Sequence, residues 1–392
     1  MSLSVARLAR VLAPNIGTAL LRGSQLLILA LLARSEADVR STLLTGFGLL
    51  AAFGMLSDSG AALYVLGVDR SALTRSVLAR SLVVQGITTG VGLTAGVVFA
   101  LAVSGRAGTT AVAVLAALAL NLAIDSVTRT AKAPLLVLGR DGAYGLVDLA
   151  IGAAKVVVLA VGLLQGSLLV LVALPLPGLL GLVLVTGWVA KRLPGGPAPV
   201  GLTRQILAIG LAGALSAGYS QMPVLVGSVL LPLHAAALLA ASTRIVQAME
   251  FIPSTFSQQV MPRLRTWSHS WQRVYGSFLL LGAAMALTAA VFRTLLEALA
   301  GVELDLLPVF GLLLVTFVLK SGNYFLIARL LVLWPKRLWV AINAVVNVIA
   351  LGLAVVGCTA AALPGAAGAA VAIEATFAAL ALLAMQRIRP RA

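Results

Sequence analysis

The sequence predicts an all-α polytopic membrane protein of about twelve transmembrane helices, arranged as two six-helix lobes. Three observations predict it. The 392-residue chain is 61% hydrophobic and only 10% charged, with a mean hydropathy of +1.08, whereas a soluble globular protein carries roughly 25% charged residues. Its apolar runs repeatedly reach the ~20 residues that a helix needs to cross a bilayer. Its basic residues fall in short clusters between those runs, which is the footprint of membrane topology.

Taken in order, the predicted spans are 12–33, 42–67, 79–103, 109–130, 143–164, 167–189, 205–230, 235–260, 275–295, 306–328, 338–358 and 364–386. The first follows Arg7 and Arg10 and is interrupted by Arg22, which fits an uncleaved helix rather than a signal peptide. Span 2 ends in a small-residue stretch, Leu49 to Leu63, containing Ser57-Asp58-Ser59-Gly60. Span 3 carries Gly86/Gly90 and Gly92/Gly96, a spacing suited to close helix packing. Pro223 in span 7 and Pro253 in span 8 mark kinks or hinges. Trp267, Trp271, Trp334 and Trp339 fall at span ends, as an aromatic belt would place them. The longest glycine- and proline-rich break, 191–204 (KRLPGGPAPVGLTR), divides an N-terminal lobe (1–190) from a C-terminal lobe (205–392).

The basic residues sort by loop parity. Twenty lie on the side of the N-terminus, among them Arg70, Arg75, Arg80, Lys132, Arg192 and Arg204, and four (Arg34, Arg40, Arg106, Arg293) lie on the other. This split puts both termini in the cytoplasm and requires an even number of spans. A 195-residue offset brings Leu135–Leu138 onto Leu330–Leu333, Arg70 onto Arg265 and Arg192 onto Arg387. The halves therefore read as a parallel repeat.

Composition also excludes functions. The net charge of +16 is spread over many loops, so nucleic acid is not an expected partner. Cys358 is the only cysteine, and His234 and His269 stand apart, so no disulfide, metal or cofactor is expected. The chain has no nucleotide-binding glycine loop, and Ser57 to Gly60 lacks the histidine of a nucleophile motif. An enzyme is not expected.

The informative charges lie inside spans, where each costs ~2.5–3.5 kcal/mol at the bilayer centre. Four cations do so: Arg22, Lys155, Arg244 and Lys320. Of the acids, Glu250 and Glu374 are deepest, while Asp58, Asp125 and Asp148 lie towards span ends. Pairing is one reading: Asp148 and Lys155 share a helix face, and Arg244 and Glu250 share a helix. Pairing the two deepest acids still leaves two mid-membrane cations. These require a hydrated cavity, and a hydrated cavity with surplus positive charge is a site for an anion.

These features resemble the multidrug/oligosaccharidyl-lipid/polysaccharide exporter superfamily, and within it the O-antigen and capsule type of lipid-linked oligosaccharide flippase. The similarity is carried by two six-helix halves, cations in spans 1 and 8, the stretch Leu49–Leu63, and the segment Leu330–Leu353 with Asn343 and Asn347. The resemblance implies alternating access around a central cationic cavity, with a polyprenyl-(pyro)phosphate-linked glycan as substrate. It implies that Arg22 and Arg244, with Lys320 and Lys155, bind the phosphate, while Glu250, Glu374 and Asp58 tune charge or carry a coupling proton. Expected partners are the lipid-linked glycan, membrane lipid and glycan-assembly enzymes, at the inner membrane. Two other readings stand beside it. A cation-coupled drug or metabolite exporter would use Asp58, Glu250 or Glu374 as carriers. A membrane glycosyltransferase or polymerase would need carboxylates on larger outer loops than these.

Overall fold

A computed structural model of the protein describes residues 5–105, 108–260, 264, 270–300 and 307–387, without the side chains of 5–16, 18, 22, 37, 38, 258, 259, 299, 300, 307 and 336. The described residues form helices and no strand. In chain order the helices are α1 (Val5–Ala33), α2 (Ala37–Leu56), α3 (Ala61–Gly67), α4 (Arg75–Ser104) and α5 (Thr109–Val137). There follow α6 (Asp141–Gln165), α7 (Val170–Ala173), α8 (Pro175–Ala190), α9 (Leu202–Leu230) and α10 (Leu233–Met249). The last are α11 (Phe251–Val260), α12 (Trp271–Val291), α13 (Arg293–Ala300), α14 (Leu307–Leu333) and α15 (Lys336–Arg387).

Among the described residues, nine segments are long and apolar enough to cross a membrane, counting α2 with α3 and α7 with α8, and the bent pair α10–α11 makes a tenth. The 52-residue α15 is two arms joined at Ala361–Ala362, where Ala362 takes φ 48°, and α1 adds a shorter apolar stretch, Ala19–Ala33. The expected fold class is the one observed. A positive φ on alanine is strained. Here it turns the chain back on itself, with Pro364 two residues later and the backbones of Gly357 and Gly365 in close approach.

Lipid explains which way the helices face. On α4, Val83, Ile87, Val91 and Val98 are exposed, Ile87 at 62% and Val91 at 68%. The opposite face buries Ser81, Gln85 and Thr89 among Val77, Val84 and Leu93. Apolar side chains outside and polar ones inside invert the pattern of a water-soluble helix. Hydrocarbon accepts the aliphatic face, and on the buried face Gln85 donates to Thr89.

The chain packs as two compact units, Met1–Ala214 and Leu215–Ala392, so the division falls inside α9, beyond the 191–204 segment. In the N-terminal unit α5 is the hub: it touches α2, α3, α4, α6, α7 and α8, while α1 lies along α6. In the C-terminal unit α14 is the hub, against α10, α11, α12 and α15. Residues 191–201 form no regular helix, yet they are fastened to the start of α4. Arg75 donates its N–H to Pro194 O at 3.0 Å and its Nε to Leu193 O at 2.9 Å, and Ser76 Oγ donates to Gly196 O at 2.5 Å.

Two sequence expectations change. Lys132 is not a loop cation: α5 runs on to Val137, through Pro134, and buries it. Trp334 and Trp339 are buried inside the protein rather than facing lipid, and Arg329 stacks on Trp271 and Trp334 at 4.7 and 5.4 Å.

One close approach in the N-terminal unit can be tested directly. A Cβ added to Gly210 on α9 would lie 2.7 Å from the α-carbon of Ser59, whereas one on Gly213 meets nothing within 4 Å. Overpacking of that kind costs about 1–3 kcal/mol. Gly210→Ala is therefore expected to destabilise the protein in a denaturant titration of the micelle-solubilised chain, and Gly213→Ala to be neutral or stabilising.

Candidate functional site

The buried charges gather on the two hub helices, one cluster in each unit. In the C-terminal unit the cluster begins where α10 stops. Pro253 has no N–H to give to the carbonyl of Met249, so the helical ladder is broken there. The chain bends by 41° between α10 and α11, and Glu250 caps the end, its N–H donating to Gln247 O at 3.2 Å.

One turn of α14 meets that carboxylate. Lys320 Nζ donates to Glu250 Oε1 at 2.9 Å and Tyr324 Oη donates to Glu250 Oε2 at 2.7 Å. The same turn holds Glu374, on the second arm of α15 and 1% exposed. Asn323 Nδ2 donates to its Oε2 at 2.8 Å and to its backbone O at 3.0 Å. Residues 320, 323 and 324 share a helix face because three and four positions span one turn. Tyr219 on α9 stacks on Phe377, ring centroids 5.3 Å apart, and Gln247 donates to Gln221 at 3.4 Å. These helices enclose a cavity of about 30 Å³ lined by Tyr219, Gln247, Glu250, Thr316, Lys320 and Glu374. Room for one probe-sized water begins at roughly 10–15 Å³, so a small polar species fits and a large solute does not.

Arg244, 4% exposed, sits on α10 one and a half turns before Glu250 and within electrostatic reach of Lys320. The carboxylate of Glu250 is engaged by Lys320 and Tyr324. The bend at Glu250 turns its carboxylate towards α14.

In the N-terminal unit the ion pairs also cross between helices rather than along one. Lys155 on α6, 1% exposed, donates to Asp125 Oδ1 on α5 at 2.5 Å. Asp148 on α6 pairs with Lys132 on α5, and Lys132 also lies 4.0 Å over the Tyr144 ring. The Asp148–Lys155 pairing that two-turn spacing allows is thus replaced by two rungs between α5 and α6.

Asp58 stands in the turn between α2 and α3. Its Oδ1 accepts the N–H of Gly60, whose φ is 74°, at 3.0 Å, and its Oδ2 pairs with Arg129 Nη2 at 3.4 Å. Gln85 is the centre of the adjoining network: it accepts from Ser59 Oγ at 2.5 Å and donates to Thr89 and Ser126, each at 2.7 Å. Arg22 lies on α1, and its side chain is outside the described residues. Sequence reasoning missed Asn323, Tyr324 and Gln85. Neutral polar residues inside an apolar span were their signal.

No family model matches the chain, and no curated protein matches it in sequence. Solved structures do resemble it. A multidrug resistance MATE family transporter of the MOP superfamily matches in its inward-facing conformation with a TM-score of 0.63 at 15% identity, covering 97% of this chain and 96% of that one. An outward-facing conformation of a MATE family transporter of the MOP superfamily matches with 0.65 at 14%, covering 98% and 96%. The lipid II flippase MurJ, in an inward closed conformation, matches with 0.66 at 10%, covering 97% and 87%. At such identities the likeness shows the fold: over nearly its whole length this chain has the helical fold shared by those transporters and that flippase.

Proposed function

We propose that the protein is a membrane transporter working by alternating access, and that its cargo is a lipid carrying a glycan on a (pyro)phosphate. The observation that carries the first part is the fold, which spans the chain and occurs in inward-facing and outward-facing transporters. The second part draws on the likeness to a lipid II flippase and on arginine deep in the spans. Lys155 and Lys320 each face a carboxylate, which balances their charge. In this reading the anionic head is held mainly by Arg244 and Arg22, because a guanidinium matches a phosphate with two parallel hydrogen bonds.

A second reading has its own observation. The small cavity in the C-terminal unit is lined by two carboxylates, Glu250 and Glu374, as a cation-coupled exporter requires. The two readings are compatible if Glu250, Glu374 and Asp58 couple transport to an ion while arginine holds the cargo. Basic residues on the side of both termini support a cytoplasmic location for them in the inner membrane, and glycan-assembly enzymes are the partners this function implies.

Reconstitution separates the readings. Liposomes containing the protein and a fluorescent undecaprenyl-pyrophosphate-linked oligosaccharide are assayed for access of the glycan to an external lectin or glycosidase. The expected result is protein-dependent exposure of the second leaflet's glycan. Transport of a cationic dye under a proton gradient, with no glycan movement, overturns the lipid-linked assignment in favour of the exporter.

A further inference from the structure

We infer that the groove between the N-terminal ends of α4 and α9 is a binding site for an anionic glycerophospholipid of the surrounding bilayer. It lies entirely in the N-terminal unit and is separate from both charge clusters. The groove has a volume of about 830 Å³; its lining includes Arg80 from α4, Pro199, and Thr203, Arg204, Leu207 and Leu211 from α9.

Three observations give the ligand its chemistry. The lining holds two guanidinium groups and no carboxylate, and among the described residues neither Arg80 nor Arg204 is in an ion pair with an acid. Arg80 Nε donates to Thr203 Oγ1 at 2.9 Å. This holds the guanidinium beside the first turn of α9, and its terminal nitrogens carry four further donors. Arg204, Leu207 and Leu211 fall at positions i, i+3 and i+7, one face of the helix. That face starts with a charge at the helix end and continues as exposed leucine, Leu211 at 65%, where a lipid-facing helix enters hydrocarbon.

A cationic end followed by an apolar strip is complementary to an amphiphile with an anionic head and acyl tails. Basic pockets between transmembrane helices select anionic headgroups for the same reason. The wall is built in advance: the bonds from Arg75 to Leu193 and Pro194, and from Ser76 to Gly196, fasten the segment leading to Pro199 onto α4. Little ordering entropy is then lost when a headgroup enters.

The test uses the full-length protein in neutral detergent micelles, titrated with dioleoylphosphatidylglycerol, dioleoylphosphatidylcholine or glycerol 3-phosphate, with bound adducts counted by native mass spectrometry. Phosphatidylglycerol is expected to bind at least about tenfold more tightly than phosphatidylcholine, with about a tenfold loss in the Arg80→Gln/Arg204→Gln variant, since each basic residue near anionic lipid contributes on the order of 1 kcal/mol. Both arginines are exposed, so this variant keeps its fold. Lys191→Gln/Arg192→Gln removes the same charge elsewhere on the unit and is expected to change nothing, while Leu211→Ser is expected to weaken the lipid alone. Equal losses in the two charge variants, equal binding of phosphatidylcholine, or glycerol 3-phosphate binding as tightly as the lipid would each overturn the assignment.

Discussion

Replacing Lys320 by methionine is expected to destabilise the C-terminal unit by about 3–5 kcal/mol, the usual consequence of removing one partner of a buried ion pair. The side chains of Lys320 and Glu250 are 15% and 11% exposed, and Glu374 stands on the same turn of α14, held through Asn323. Removing the ammonium leaves two buried carboxylates with less positive charge to balance them. Adding Glu250→Gln to Lys320→Met is expected to recover most of the loss, because replacing both members of a buried pair is often close to neutral. Unfolding of the purified protein by SDS, followed by circular dichroism, gives the four corners of the double-mutant cycle. If the double variant is no more stable than Lys320→Met, the pair is not an energetic unit.

The second large effect concerns Arg244. Under the proposed function, Arg244→Ala is expected to reduce glycan transport by about thirtyfold to several thousandfold, corresponding to the ~2–5 kcal/mol lost when one side of a buried charged hydrogen bond is truncated. Arg244→Lys is expected to keep part of the activity, since it keeps the charge but not the planar fork. Adding Glu250→Gln to Arg244→Ala is not expected to restore transport, because Glu250 already has Lys320 and Tyr324 as partners. The measurement is glycan exposure in liposomes with protein amount and melting temperature matched. Full activity in the doubly neutral variant would assign Arg244 to charge balance and remove it from cargo binding.

These two tests show where the sequence was legible. The crossings could be read from apolar run length and the alternation of basic loops, because lipid imposes both on a helix whatever its neighbours. The buried charges could also be found, since Arg244, Lys320, Glu250 and Glu374 interrupt runs that are otherwise apolar. Which charge meets which could not. Spacing along a helix made Asp148–Lys155 a natural pair, but the observed partners lie 16, 30 and 70 residues apart, in Lys132–Asp148, Lys155–Asp125 and Lys320–Glu250. Those pairings depend on α5 facing α6 and on α14 facing the bend at Glu250, which are matters of tertiary packing. Lys132 was hidden for a related reason. Pro134 two residues later reads as the end of a span, yet inside a membrane bundle α5 runs through it.

The inverted α4 has a consequence for how such a chain drifts over generations. At positions 83, 87, 91 and 98 the surrounding hydrocarbon requires only an aliphatic side chain, so valine, isoleucine and leucine are nearly interchangeable and each site stores little information. The inward position Gln85 is tied to Ser126 on α5 and to Ser59 in the turn after α2, and stores more. A fold in which most positions are of the outward kind can lose almost all recognisable spelling while its helices keep their places. That is how a chain can share 10–15% of its residues with solved transporters and still overlay them across nearly its entire length.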